Sequence, residues 1–342
     1  MIPYALPFRR PYVTARGSLD RRELVLLRIQ TEDGVTGLGE GVPMTLRGGV
    51  SLAEVVREIE FWGDRAVSTG QATIPDSTSA PARMAVLMAL LDIDARVNEV
   101  PAHQFWIKDV TPLPVACNAT LTTDTPAGVF AQAEEWAADG FTVFKLKLGS
   151  ADDIGQARAV REGLGEDVAI RLDANGTWSL DEATRILGEL EPLGIELAEQ
   201  PVATLKEMAE LRTRTSIPLV ADESVSTVEE AALAAELSAC DAITVKLSKT
   251  GKLDVRLGDS LPTYLSSALD GPVGIAAAAH AAQALPRYGP WSTVSHGLAT
   301  ERLFSATICE QGPLLDGPLL PVPSGNGLGI TIDEGALEAH RL

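Results

Sequence analysis

The sequence predicts an α/β protein in two parts, a (β/α) barrel of parallel strands ringed by helices, preceded by a smaller α+β unit. Three observations lead there. At 342 residues the chain exceeds the usual size of one domain. Its first hundred residues carry a hairpin pattern followed by two helical patterns. From about Pro114 onward, short β-rich runs alternate with helical stretches, the mark of βαβ units and a parallel sheet. Hydrophobic residues at 45% and charged residues at 22% suit a globular chain and exclude a mainly disordered one.

Leu24 to Ile29 reads as a strand, Thr31-Glu32-Asp33-Gly34 as a turn with the Asp-Gly signature, and Val35 to Gly39 as the partner strand. Ser51-Leu52-Ala53-Glu54 has the form of a capping box opening one helix, and the Ala/Leu/Met-rich stretch from Pro81 to Val97 reads as a second, mostly buried one. Eight candidate strands follow: Val115 to Leu121, Thr142 to Leu148, Ala169 to Asp173, Glu196 to Glu199, Leu219 to Ala221, Ala242 to Lys246, Thr263 to Ser266 and Ser292 to Ser295. Eight units over roughly two hundred residues fit a TIM-type barrel, although a doubly wound sheet has the same local signature.

The balance of 28 Lys+Arg against 47 Asp+Glu gives a formal charge of -19. Such a field repels polyanions, disfavouring nucleic acid or anionic membrane as a partner, and an anionic substrate needs a local positive centre. The cysteines Cys117, Cys240 and Cys309 are odd in number and scattered, which suits a reducing compartment better than a disulfide framework. The amino terminus lacks the apolar core of a secretory signal, and no apolar run approaches the ~20 residues of a membrane helix, so a cytoplasmic protein is expected. No sequence signal specifies an oligomeric state.

The chemistry lies at the strand ends. Parallel strands are buried on both faces, so charged residues within them are costly unless paired, bound to metal or used in a reaction. In Phe144-Lys145-Leu146-Lys147-Leu148 the two-residue period puts both lysines on one face, the barrel interior if Leu146 faces the outer helices. A surface strand with solvated lysines would read the same. The next three strands end in Asp173-Ala174-Asn175-Gly176, Glu199-Gln200-Pro201 and Ala221-Asp222-Glu223-Ser224. Each carboxylate alone fits a turn or a helix cap. Their separations, 199 − 173 = 26 and 222 − 199 = 23 residues, are each close to one βα unit, so three carboxylates converge on one barrel rim. Oxygen-only ligands with room for water and substrate suit Mg²⁺ better than Zn²⁺, and Mn²⁺ can take the same donors. Lys246, near the end of the sixth strand, approaches from the side opposite Lys147. A lysine beside a divalent cation in a partly buried site can act as a general base, and the cation can stabilise charge developing on a substrate carboxylate.

Taken together, these residues resemble the enolase superfamily in its muconate-lactonizing branch, whose base-plus-magnesium arrangement is an established pattern. The resemblance covers nearly the whole chain. It implies a capping domain over residues 1–110, joined by the tail 313–342, and a barrel over 111–312. Lys145-Leu146-Lys147 looks like the branch's Lys-x-Lys motif, which makes Lys147 the acid/base and Lys145 its supporting lysine. Asp173, Glu199 and Asp222 match the magnesium ligands, and Lys246 the lysine on the opposite face. Asp-Ala-Asn-Gly-x-Trp-Ser, Glu-Gln-Pro, Ala-Asp-Glu-Ser, Ser266-Ser267-Ala268-Leu269-Asp270 and His296-Gly297-Leu298-Ala299-Thr300 resemble o-succinylbenzoate synthases of the actinobacterial kind.

The resemblance therefore implies a lyase of menaquinone biosynthesis, a Mg²⁺-dependent syn dehydration of 2-succinyl-6-hydroxy-2,4-cyclohexadiene-1-carboxylate through an enediolate. Ser266 and Gly297 would bind the succinyl tail, with Asn175 and Glu223 in support. N-succinylamino acid (N-acylamino acid) racemase and muconate cycloisomerase share the two lysines and remain alternatives. A non-catalytic binding barrel is disfavoured, because an idle cluster of buried charges costs stability. The sequence departs from the pattern after the sixth strand: Ser266 follows Gly251 by only 266 − 251 = 15 steps, and Lys252 replaces the second glycine of a Gly-Gly pair. Lys249 competes with Lys246 there. The substrate-choosing loops of the capping domain are expected near Arg16 to Ser18 and Thr45 to Gly49.

Overall fold

The computed structural model describes residues 1–14, 17–69, 73–122, 125–149, 152–258, 260–286, 289 and 291–342. Arg16 lies outside them, and so does the part of the expected Arg16–Ser18 loop that it forms.

The N-terminal unit is a three-stranded antiparallel sheet, β1 (Ile2–Thr14), β2 (Gly17–Gln30) and β3 (Thr36–Gly41), backed by α1 (Leu52–Thr69) and α2 (Ala80–Val97). The expected hairpin is β2–β3, and Gly34 takes the positive φ of 86° that its turn demands. The chain does not open with that hairpin, however, because β1 precedes it and pairs with β2. Ser51 and Glu54 form the expected capping box reciprocally at the start of α1. Glycines let sheet and helix approach closely: a Cβ on Gly39 would lie 1.8 Å from the Ala85 carbonyl oxygen of α2.

The barrel begins with β4 (Val115–Ala116) and β5 (Ala119–Leu121), separated at Cys117 and Asn118 rather than forming the one strand expected. There follow α3 (Pro126–Ala138), β6 (Val143–Lys147), α4 (Asp153–Leu164), β7 (Ala169–Asp173), α5 (Leu180–Leu190), β8 (Ile195–Glu199), α6 (Leu205–Arg212), β9 (Leu219–Ala221), α7 (Val228–Glu236) and β10 (Ala242–Val245). A four-residue turn of helix, α8 (Leu247–Thr250), is the only helix between β10 and β11 (Thr263–Leu265) among the described residues, and α9 (Pro272–Ala281) comes next. Strands β5 to β11 make one parallel sheet in sequential order, which excludes the doubly wound alternative.

Closure differs from expectation. Ser292 to Ser295 forms no strand; the eighth position is taken by single bridges at His296 and Gly297. His296 N–H donates to the Ala116 carbonyl at 2.7 Å, and Gly297 N–H to that of Leu265 at 2.8 Å, tying the first barrel strand to the last. Two residues suffice, so no β-rich run marks the place. The C-terminal segment returns to the N-terminal sheet: Ala5 N–H donates to the His340 carbonyl at 2.9 Å and Leu342 N–H to that of Pro3 at 3.1 Å. No helix among the described residues is long and apolar enough to cross a membrane.

Candidate active site

Register brings the strand-end charges together. Lys147 pairs with Asp173, and Asp173 with Glu199, directly across adjacent strands. Asp222 and Lys246 follow β9 and β10, and Lys246 keeps extended backbone at φ -126°. By strand alternation all five side chains enter the barrel. Asp173, Glu199 and Asp222 are fully buried, and Lys145, Lys147 and Lys246 are at most 8% exposed, so Lys145 and Lys147 do not lie on a solvated strand.

Asp173 and Asp222 are held at both oxygens and Glu199 at one. Asp173 Oδ2 accepts from Lys147 Nζ at 2.5 Å and lies 2.8 Å from Lys145 Nζ, while its Oδ1 accepts from the Asn175 N–H at 3.1 Å. Glu199 Oε2 accepts from Lys145 Nζ at 2.7 Å and from the Tyr264 hydroxyl at 2.8 Å. Asp222 Oδ2 accepts from Lys246 Nζ, and Oδ1 from Lys249 Nζ at 3.0 Å. Burial works against the ammonium of Lys145, but the carboxylates of Asp173 and Glu199 outweigh it and hold its pKa well above the ordinary lysine value. Burial likewise opposes ionisation of Asp173, and Lys145 and Lys147 overcome it, holding the acid below the ordinary range.

Lys249 is distinguished from Lys246 by where it points. Its ammonium also donates to the carbonyls of Asp222 at 2.6 Å and Val225 at 2.8 Å, behind the carboxylate, whereas Lys246 lines the cleft. That cleft lies between the two units. Tyr12, Thr14, Arg22, Met44 and Leu46 contribute from the N-terminal side, and Lys145, Lys147, Asn175, Lys246, Ser266 and Thr300 from the barrel. Leu46 belongs to the expected Thr45–Gly49 loop. The charged side chains that line it are Arg22, Lys145, Lys147 and Lys246, and each of the lysines is paired with a buried carboxylate.

Asn175 takes φ 51° and donates from Nδ2 to Glu223 Oε1 at 3.0 Å, a contact that supports the rim beside Asp173. Ser266 lines the cleft. Gly297 spends its N–H on Leu265 and its carbonyl on the Ser267 N–H at 3.0 Å, and a Cβ there would meet Ser266 Oγ at 2.4 Å. Gly297 itself is not among the residues that line the cleft, and its lack of a side chain leaves room for Ser266, which does. Sequence reasoning missed Tyr264 and Arg22. Arg22 is buried and donates to the Ala268 carbonyl at 3.0 Å and the Leu269 carbonyl at 3.3 Å, fixing the loop after β11; an arginine within a β-rich run gives no such signal.

Among the described residues no three His, Cys, Asp or Glu side chains gather at metal-binding spacing, as ammonium groups stand between the carboxylates. The donor set nevertheless fits a hard divalent cation. All three groups are carboxylates, and Glu199 Oε1 is buried with no hydrogen bond, with Lys246 Nζ 4.0 Å away.

The family description "Enolase C-terminal domain-like" matches residues 128–336, and "Mandelate racemase / muconate lactonizing enzyme, N-terminal domain" matches 2–106. An o-succinylbenzoate synthase of Thermobifida fusca is 36% identical over 221 residues, covering 62% of this chain and 67% of that protein. Among solved structures, a dipeptide epimerase from Enterococcus faecalis complexed with Mg and the dipeptide L-Leu-L-Tyr superposes with a TM-score of 0.87 at 25% identity, covering 96% of this chain and 97% of that one. A muconate lactonizing enzyme from Pseudomonas fluorescens complexed with muconolactone gives a TM-score of 0.89 at 25% identity over 100% and 97% of the two chains.

Proposed function

The chain belongs to the enolase superfamily, in its muconate-lactonizing branch, and from that premise we propose that it is a Mg²⁺-dependent o-succinylbenzoate synthase. The observation that carries the proposal is the placement of Lys147 and Lys246 on opposite sides of three buried strand-end carboxylates. Identity to the Thermobifida fusca synthase supports the choice of reaction, and residues 266–269, within the motif that resembles such synthases, line the cleft.

Asp173, Glu199 and Asp222 would hold the cation, which when bound supplies positive charge against the substrate carboxylate. Lys147 removes the proton next to the ring carboxylate of the cyclohexadiene. It then returns that proton to the departing hydroxyl on the same face, so the C–H and C–O bonds both break, water leaves and the ring becomes aromatic. Lys246 stays cationic and stabilises the negative charge from the other side. Ser266 faces the position of the succinyl tail. With substrate and Mg²⁺, aromatic absorbance is expected to grow, and Lys147→Ala to slow it by about 10²–10⁴-fold. Turnover by that variant at the parent rate would sink the mechanism.

The two opposed lysines also suit a two-base exchange, and the likeness to a dipeptide epimerase favours this as the second reading. Deuterium entering both epimers of an N-succinylamino acid or dipeptide, with no aromatic product from the cyclohexadiene, would establish it instead.

A further inference from the structure

Tyr264 projects from β11 into the barrel and is 2% exposed, among Leu197, Val220 and Ala242. The Arg171 guanidinium lies 5.6 Å from its ring centroid, and Arg171 is itself anchored on Glu196 at 2.5 Å, so the ring rests on a fixed floor. From there its hydroxyl reaches across the barrel interior to a strand three places along the sheet, from β11 to β8, and donates to Glu199 Oε2 at 2.8 Å. Lys145 Nζ donates to the same oxygen at 2.7 Å. The other oxygen, Oε1, is buried and takes no hydrogen bond. The two oxygens of one carboxylate are therefore treated differently.

We propose that Tyr264 is a positioning residue that ties down Glu199 Oε2 and so makes Glu199 a one-oxygen ligand, selecting Mg²⁺ over larger cations. The inference rests on the reading of a divalent cation at the three carboxylates. Mg²⁺ demands near-octahedral geometry at ~2.0–2.1 Å, and a carboxylate giving one oxygen leaves positions for water and substrate; Ca²⁺ accepts 6–8 oxygens and bidentate carboxylates. With the hydroxyl gone, Glu199 is held at Oε2 by Lys145 alone and can turn both oxygens inward.

Tyr264→Phe keeps the ring and removes only the hydroxyl. Mg²⁺ and Ca²⁺ are titrated separately, each as the chloride and without substrate, by calorimetry on the parent and on Y264F. Mg²⁺ binding is expected to weaken about tenfold or more, the range typical for loss of a group that orients a metal ligand, while Ca²⁺ loses less or gains, so that the Mg²⁺/Ca²⁺ preference narrows. Equal losses for the two ions, as a merely structural role would give, or no loss of either, overturn the inference. If the parent binds neither ion, the metal reading itself fails, and this inference fails with it.

Discussion

At the residue scale, what the sequence displays is the period of the charges and what it conceals is their distance across the barrel. Lys145, Lys147 and Asp173 are legible because alternation in a buried strand leaves a charged side chain nowhere to go but inward. Glu199 and Asp222 are legible because βα units repeat at nearly constant length. Tyr264 is not, because an aromatic residue in Thr-Tyr-Leu is what any strand would carry; only the closed barrel brings it to Glu199. Lys249 shows the same limit, since spacing alone leaves it a rival of Lys246. Its bonds to Asp222 Oδ1 at 3.0 Å and to the Asp222 and Val225 carbonyls give it the task of holding Asp222 from behind. Lys249→Met should therefore destabilise the fold by about 3 kcal/mol in urea titrations, the usual cost of removing one partner of a buried pair. A change within experimental error would mean that the contact contributes nothing.

At the element scale, misreadings trace to short or interrupted pairing. Pro3, Pro7 and Pro11 disguise β1, whose register breaks between Pro7 and Tyr12, and proline ordinarily argues against a strand. The eighth barrel strand has shrunk to His296 and Gly297, too little for any periodicity. Contacts between elements are least visible of all, and Glu40 is an example. It lies on β3, accepts from Tyr4 OH of β1 at 2.8 Å, and accepts from Gly271 N–H at the start of α9 at 2.7 Å. Burial first, then the nearby Asp270 carboxylate, pushes its pKa up to about 8. The folded state thus holds a proton that the unfolded chain releases near pH 4.5, so the clasp is strongest below that value and weakens as pH rises to about 8. Glu40→Gln mimics the protonated acid, its amide facing the tyrosine oxygen. Its melting temperature should fall less than that of the parent between pH 5 and 8, by a margin worth up to several kcal/mol. Parallel pH profiles for the two proteins would show that Glu40 does not carry the dependence.

At the scale of the whole molecule, the two parts meet at the short sixth unit, where α2 packs on α8 and the segment that carries Lys246 and Lys249. Gly251 takes φ 60°, and a Cβ on it would lie 2.8 Å from the Ala80 Cα of α2. Arg83 of α2 donates to the carbonyls of Gly251 at 2.9 Å and Thr250 at 3.2 Å, satisfying the open end of α8. Trp106 Nε1 closes the same segment on the Leu253 carbonyl at 3.0 Å. The N-terminal unit therefore braces the segment that Lys246 opens, through bonds made by Arg83 and Trp106. Arg83→Ala should raise amide hydrogen exchange at 247–253 about tenfold or more, the loss of one to two hydrogen bonds near 1 kcal/mol each, and leave exchange in β6 and β7 unchanged. Turnover should fall with it, because Lys246 is held less well while Lys147 is untouched. Unchanged exchange at 247–253 would place the support of Lys246 within the barrel alone.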